Sequence, residues 1–136
     1  MIIGYYAALL ALLFIFLTLR VGRARMQTKI GIGDGGDHNL QKAIRAHANF
    51  AEFVPLALLL LFMIEMQQSS VLLLHTLGAL LFVGRVLHAL GLSKTSKLSF
   101  GRMVGAGLTA LVITVSALWL LYAFSSSHYL AISHSM

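Results

Sequence analysis

Four long apolar segments, separated by short polar connections, make up most of this chain. They cover residues 2–19, 39–66, 71–90 and 100–124, and each is near or above the roughly 18 to 20 residues that a helix needs to cross a bilayer. The runs are continuous, whereas a transmembrane β-barrel requires alternating stretches of about ten residues. The pattern therefore predicts an all-α membrane protein, a bundle of four transmembrane helices forming a single domain over residues 1–136.

The connection over residues 31–37 is rich in glycine and aspartate. It formally matches G-x-G-x-x-G at Gly31, Gly33 and Gly36. A phosphate-binding loop of that type follows a buried strand, whereas the flanking segments here are predicted membrane helices. We interpret the connection as a turn, with Asp37 or Asn39 as the N-cap of the second helix.

Basic residues concentrate at one end of the predicted bundle. The first and third connections, with the adjoining helix ends, contain Arg20, Arg23, Arg25, Lys29, Lys42 and Arg45, and then Lys94, Lys97 and Arg102. The second connection, residues 65–70, has none. Because cytoplasmic loops retain lysine and arginine, we expect the first and third loops in the cytoplasm and both termini in the periplasm. No basic residue precedes the first apolar run, so we expect that run to remain as a helix and not to be cleaved as a signal peptide.

Composition agrees with a membrane protein and excludes several kinds of site. Apolar residues make up 59% of the chain and charged residues 10%, against about 25% charged residues in soluble domains. The net charge of +6 is explained by the basic loops, so we predict no nucleic-acid partner. The chain has no cysteine, which excludes thiolate metal sites and a cysteine nucleophile. His75, His128 and His134 have no partner at ligand spacing, so we predict no metal site.

The second apolar segment contains the most informative polar residues. At 100° per residue, Arg45, Asn49 and Glu52 fall within about 60° of one another on a helix. Lys42 and His38 extend this stripe toward water, whereas His47 falls on the opposite face. Polar groups inside a membrane span are costly, so they indicate a functional site or a packed polar network.

Further polar residues lie at the same end of the third and fourth segments, where Arg85, His88 and Arg102 are expected at one depth. Three arginines, including Arg45, then outnumber one carboxylate, that of Glu52. Because guanidinium groups bind carboxylates bidentately, the arrangement predicts a site for a small anion that bears carboxylates. In the alternative interpretation, Glu52 pairs with Arg45 or Arg85, and Arg102 marks the membrane edge.

Small residues follow Arg102 along one side of the fourth segment, at Gly105, Thr109 and Ser116. Small side chains at such spacing let two helix backbones approach closely in lipid. We therefore predict a helix–helix contact there.

The combined pattern resembles the MAPEG family, the membrane-associated proteins in eicosanoid and glutathione metabolism. The resemblance rests on Arg45-x-His47-x-Asn49-x-x-Glu52 followed by a proline, on Arg85-x-x-His88, and on Arg102 at the start of the last segment. Gly-Asp-Gly-Gly before the second helix and Asn-Phe-x-Glu-x-x-Pro are typical of the small bacterial inner-membrane branch. The resemblance covers essentially the whole chain.

This resemblance implies a homotrimer that binds glutathione between adjacent subunits, in the cytoplasmic half of the membrane. The implied glutathione-binding residues are Arg45, Asn49, Glu52, Arg85 and His88, with Arg102 stabilising the thiolate as the catalytic residue. The implied activity is that of a glutathione transferase or peroxidase, with membrane lipids or other lipophilic small molecules as partners. An arginine at the end of the first segment contributes in some members, and the spacing leaves three candidates, Arg20, Arg23 and Arg25.

Two differences from the enzymes of this family keep other functions open. Several of those enzymes have a tyrosine four residues after the position of His88, where this chain has Leu92. Pro55 follows Glu52 by three residues here and by four in those enzymes. One alternative is therefore a non-catalytic protein that binds glutathione or lipid and regulates a partner. Another is a small transporter, because intramembrane charges also line conduction paths.

Overall fold

A computed structural model describes the backbone of residues 1–94 and 99–133, and the side chains of residues 1–93 and 99–126. The described chain consists of four helices, α1 (Ile2–Thr28), α2 (His38–Met66), α3 (Val71–Lys94) and α4 (Phe100–Ser133). Each is long and apolar enough to cross a membrane, which confirms the predicted four-helix membrane fold. Lys97, His134 and the side chains of Lys94 and His128 lie outside the described residues.

Three helices continue beyond the apolar runs from which they were predicted. The helix α1 extends to Thr28 instead of residue 19, α3 to Lys94 instead of 90, and α4 to Ser133 instead of 124. Hydropathy marks the part of a helix that lies in lipid, whereas residues such as Arg25 and Gln27 are good helix formers in water. The end of α1 is set at Lys29, which adopts the left-handed conformation with φ 57°.

The connection between α1 and α2 is a turn, as predicted. After Lys29, three of its glycines have positive φ, namely Gly33, Gly35 and Gly36, with φ of 70°, 56° and 82°. Asp37 then caps α2, since its Oδ1 accepts from the backbone N–H groups of Asn39 at 2.9 Å and Leu40 at 2.7 Å. Of the two predicted caps, the structure therefore selects Asp37.

The three arginines at the end of α1 have different partners. Nη1 of Arg25 donates to three carbonyl groups of the turn, those of Ile30, Gly31 and Gly33, at 3.1, 3.0 and 3.1 Å. Arg20 donates to the hydroxyl of Ser93 and so joins α1 to α3. Arg23 is exposed. Arg25 thus holds the turn and Arg20 holds two helices together.

Small residues bring α3 and α4 into close contact. A Cβ atom on Gly105 would lie 2.6 Å from the backbone nitrogen of His88. On the same side of α4, Thr109 and Ser116 are 1% and 0% exposed. The predicted helix–helix contact is confirmed, and it places the start of α4 beside the last turns of α3.

Contacts at the other end of the bundle join α1 to α2 and α3. The backbone N–H groups of Ile2 and Ile3 donate to the carboxylate of Glu65, the second at 3.3 Å. A residue near the end of α2 therefore caps the N-terminus of α1, whose first N–H groups lack partners within the helix. The Tyr6 hydroxyl lies 3.0 Å from Nδ1 of His75, so this histidine has a structural partner.

Candidate functional site

A pocket of about 140 Å³ lies at the end of the bundle where α2 and α4 begin. We call it the basic pocket; its lining residues are Gln41, Lys42, Arg45, Asn49, His88, Leu92 and Arg102. Lys42, Arg45 and Arg102 are cationic, and no described lining residue has a carboxylate. The pocket therefore combines residues from three helices into a site suited to an anion.

The helix α2 supplies most of the wall because its polar residues recur at helical spacing. Gln41, Arg45 and Asn49 are each four residues apart, so their side chains lie along one face. Lys42 was predicted as a water-facing extension of this stripe, and the structure places it in the wall. Gln41 was not predicted, although its spacing from Arg45 was enough to find it.

Arg45 forms an ion pair with Glu52 on the outer surface of α2. Nη1 of Arg45 lies 3.9 Å from Oε1 of Glu52, and their side chains are 59% and 52% exposed. Glu52 does not line the basic pocket in this chain. The alternative interpretation of the sequence predicted that Glu52 pairs with Arg45 or Arg85, and the structure shows the pair with Arg45. Arg45 also lines the basic pocket.

Arg85 lies behind the pocket and not in its wall. Its side chain is 1% exposed, and Nη2 donates to Oδ1 of Asn49 at 2.8 Å. Nη1 lies 3.4 Å from the hydroxyl oxygen of Thr109, and the guanidinium carbon is 5.6 Å from the centroid of the Phe50 ring. In the part of the chain that the structure describes, Nε of Arg85 has no hydrogen-bond partner. Arg85 therefore contacts the basic pocket through Asn49.

His88 lines the pocket from α3, and Arg102 lines it from α4. His88 is 4% exposed, and its Nδ1 has no hydrogen-bond partner among the described residues. Arg102 lies in the first turn of α4, where its backbone N–H is 3.4 Å from the hydroxyl oxygen of Ser99. Leu92, which is 6% exposed, adds an apolar wall one turn after His88.

His47 lies away from the pocket, as the helical spacing predicted. Its Nε2 is 3.1 Å from the hydroxyl oxygen of Thr18, and its ring stacks on Phe14 with centroids 4.7 Å apart. These contacts join α2 to α1.

The chemistry of the basic pocket follows from its donors. Lys42, Arg45 and Arg102 can bind negative charge, and the amides of Gln41 and Asn49 can orient a polar molecule. The N-terminus of α4 adds the positive end of its helix dipole on the side of Arg102. The arrangement can bind a small molecule that bears carboxylates and can stabilise a negative charge that develops beside Arg102.

Known proteins are similar to this chain in sequence. The model of the MAPEG family matches residues 3–122, a range that includes every lining residue of the basic pocket. The Inner membrane protein YecN of Escherichia coli K12 is 40% identical over 91 residues, which cover 67% of this chain and 70% of that protein. The protein of the same name from Escherichia coli O6:H1, strain CFT073, matches with the same values. On this match, and with four helices able to span a membrane, the chain belongs to the MAPEG family.

Proposed function

We propose that the basic pocket binds glutathione, and that the protein is a glutathione transferase or peroxidase acting on lipophilic electrophiles. The observation that carries this proposal is the convergence of Lys42, Arg45 and Arg102 on one cavity whose described lining has no carboxylate. Glutathione has two carboxylates, an ammonium group and a thiol. Each of its two carboxylates needs its own cationic partner, because charge-assisted hydrogen bonds are stronger than those between neutral groups.

Arg102 is the residue that we propose for thiolate stabilisation. A thiol with a pKa of about 8.5 is mostly protonated at neutral pH, and a nearby cation favours the nucleophilic thiolate. The thiolate sulfur then forms a bond to the electrophilic carbon, while the leaving group departs with its electron pair. Arg102 lies on the α4 side of the pocket, where the helix dipole acts in the same direction.

We further propose a homotrimer in which a neighbouring subunit covers the Arg45–Glu52 surface. Both side chains are more than half exposed, although they belong to a helix able to span the membrane. A charged side chain that faces lipid is costly, so a protein neighbour relieves this cost. Glu52 could then meet the ammonium group of glutathione at the subunit boundary. The resemblance described above supplies the trimeric stoichiometry.

The location that we propose is the inner membrane, with the basic pocket open to the cytoplasm and both termini in the periplasm. Basic residues at the pocket end support this orientation. A relative that is named as an inner membrane protein supports the location.

Leu92 favours a second candidate function, that of a non-catalytic protein that binds glutathione or lipid. Leu92 lines the pocket where several enzymes of the family have a tyrosine, so one hydroxyl group is missing beside the proposed thiol position. Binding without turnover would be the expected behaviour of such a protein.

Calorimetry with glutathione and the protein in lipid nanodiscs tests these proposals, together with conjugation of glutathione to chlorodinitrobenzene. Binding with turnover supports the enzyme, binding without turnover supports the second candidate, and absence of binding overturns the glutathione site. Lys42→Ala should weaken binding, whereas Lys29→Ala, an exposed position outside the pocket lining, is the matched control. Light scattering of the purified protein checks the trimer.

A further inference from the structure

The aromatic ring of Phe50 is one of the neutral partners of the Arg85 guanidinium. The guanidinium carbon lies over the ring, 5.6 Å from its centroid, and a cation is attracted to an aromatic face within about 6 Å. Phe50 is 3% exposed and Arg85 is 1% exposed. Because water is excluded from both groups, the attraction belongs to the stronger, desolvated class of cation–π interaction.

Phe50 and the hydrogen-bonding partners hold different parts of Arg85. Asn49 accepts from Nη2 at 2.8 Å, and the Thr109 hydroxyl oxygen lies 3.4 Å from Nη1. The Phe50 ring contacts the centre of the group instead. Because Asn49 and Phe50 are consecutive residues of α2, one turn of this helix holds the guanidinium at two points.

Arg85 fixes which end of the Asn49 amide is free. A guanidinium group only donates hydrogen bonds, so the atom of Asn49 that it contacts is the amide oxygen, Oδ1. The NH₂ group of the amide is then left to donate to a ligand. Because Asn49 lines the basic pocket, this orientation suits an anion there. The opposite orientation would present the amide oxygen, which repels an anion.

An aromatic ring can hold Arg85 without cancelling its charge. In the part of the chain that the structure describes, the ion pair of Glu52 is with Arg45, and no carboxylate contacts Arg85. A carboxylate in place of the ring would neutralise the guanidinium. The ring attracts a cation through its quadrupole and has no net charge, so the positive charge of Arg85 still acts on an anion in the pocket.

We propose that Phe50 is a positioning residue for anion binding in the basic pocket. Its ring holds Arg85, and Arg85 keeps the NH₂ group of Asn49 available to the anion. Phe50 does not line the pocket, so it acts through Arg85 and not by touching the ligand. The proposal rests on the proposed function only in taking glutathione as the anion.

Stepwise fluorination of the Phe50 ring tests the proposal. Incorporation of mono-, di- and trifluorophenylalanine at this position withdraws electron density and weakens the attraction for a cation, while the ring keeps its shape. We expect the dissociation constant for glutathione, measured by calorimetry in nanodiscs, to rise with each fluorine and to reach about ten times the wild-type value. Equal affinity across the series would overturn the proposal. Phe50→Leu is less informative, because it also removes the packing against Phe14, whose ring centroid is 5.7 Å away.

Phe82 provides the matched control. It is a partly buried phenylalanine of α3 that packs against the same core, and among the described residues no cation lies over its ring. Trifluorination of Phe82 should leave the glutathione affinity at the wild-type value. An equal loss from trifluorination of Phe82 would show a general effect of fluorine on the core and would overturn the role of Phe50.

Asn49→Ala shows whether the effect of Phe50 passes through the Asn49 amide. Changes at two residues of one network are not additive. In Asn49→Ala, trifluorination of Phe50 should therefore change the glutathione affinity by less than about twofold. A further loss as large as that in the wild type would show that the ring acts independently of Asn49, which contradicts the proposal.

Glutarate separates failure of this proposal from failure of the proposed function. It has two carboxylates and neither a thiol nor an ammonium group, so it probes the basic pocket as an anion site alone. A wild type that binds glutarate and not glutathione would sink the proposed function, and weaker glutarate binding with each fluorine would still support the role of Phe50. Absence of binding of both ligands would overturn both proposals.

Discussion

Oδ1 of Asn49 accepts a hydrogen bond from Nη2 of Arg85 over 2.8 Å, and so a neutral side chain holds a buried cation in position. The amide satisfies the geometry of one guanidinium nitrogen and leaves its charge unbalanced. Asn49 also lines the basic pocket, so this one hydrogen bond links the positive charge inside the bundle to that pocket. A carboxylate at position 49 would instead balance the charge of Arg85 and make the basic pocket less positive.

Asn49→Asp is therefore expected to preserve the fold and to weaken anion binding. The new carboxylate is nearly isosteric and pairs with Arg85, so the melting temperature in detergent should stay the same or rise. Its negative charge should lower the affinity for glutathione by about tenfold or more. Calorimetry on the purified variant measures this affinity.

Gln27→Glu provides the control for Asn49→Asp. It adds the same charge at an exposed position of α1, outside the lining of the basic pocket. Unchanged glutathione affinity in Asn49→Asp would show that residue 49 has no part in anion binding.

Arg102→Ala should slow conjugation of glutathione by about tenfold, a loss of about 1.4 kcal/mol in transition-state stabilisation. The physical reason is the loss of the cation proposed to stabilise the thiolate. The rate should then reach half of its maximum at a higher pH, closer to the ordinary thiol pKa of about 8.5. A pH–rate profile distinguishes this effect from simple misfolding, which lowers the rate at every pH.

The matched variant for Arg102→Ala is Arg23→Ala, which removes an exposed cation of α1 outside the pocket lining. Its pH–rate profile should coincide with that of the wild type. An unshifted profile for Arg102→Ala would remove Arg102 from the proposed catalytic role.

Gly105→Ala should destabilise the α3–α4 contact by about 1 to 3 kcal/mol, as overpacking typically does. The added methyl group would meet the carbonyl oxygen of Gly84 and lie 2.6 Å from the backbone nitrogen of His88. Displacing His88 should also weaken glutathione binding, since His88 lines the basic pocket. Thermal unfolding in detergent and calorimetry measure the two effects.

Gly107→Ala makes the same chemical change two residues away, where a Cβ has no non-local atom within 4 Å. Alanine favours a helix over glycine by about 1 kcal/mol, so this variant should be as stable as the wild type or more so. Equal unfolding temperatures for Gly105→Ala and Gly107→Ala would contradict the close contact.

Single-cysteine labelling tests the proposed orientation, and the absence of native cysteine makes the background clean. Ile32→Cys lies in the first connection at a position that is 95% exposed, and Ser70→Cys lies at an exposed position of the second. In intact cells with a permeable outer membrane, a membrane-impermeant maleimide should label Ser70→Cys and leave Ile32→Cys unlabelled. The reverse pattern would invert the proposed topology.

The four-helix fold could be predicted from sequence because hydropathy reports directly on membrane crossing. The N-cap of α2 could be narrowed to Asp37 or Asn39, and the contact at Gly105 could be predicted, since each depends on local chemistry or on small residues at a helical spacing. The helical extension of α1 to Thr28 was missed because residues in water leave no hydropathy signal.

The site was predicted less completely, because charge counting does not reveal which way a side chain points. Sequence spacing brought Arg85 and Arg102 to one end of the bundle, but it did not show that Arg85 is buried behind Asn49. Glu52 was grouped with the ligand-binding residues and lies on the outer surface, paired with Arg45. Its role with a ligand stays a prediction.

The cap that Glu65 gives to α1 can form only after α2 has been synthesised. The Glu65 carboxylate caps the first turn of α1, although 63 residues separate it from Ile2 along the chain. During synthesis, α1 leaves the ribosome long before its cap exists, and its leading N–H groups gain this partner only when the end of α2 has been made. The N-terminus of α1 therefore gains these hydrogen bonds only when α1 and α2 have paired as a helical hairpin in the membrane.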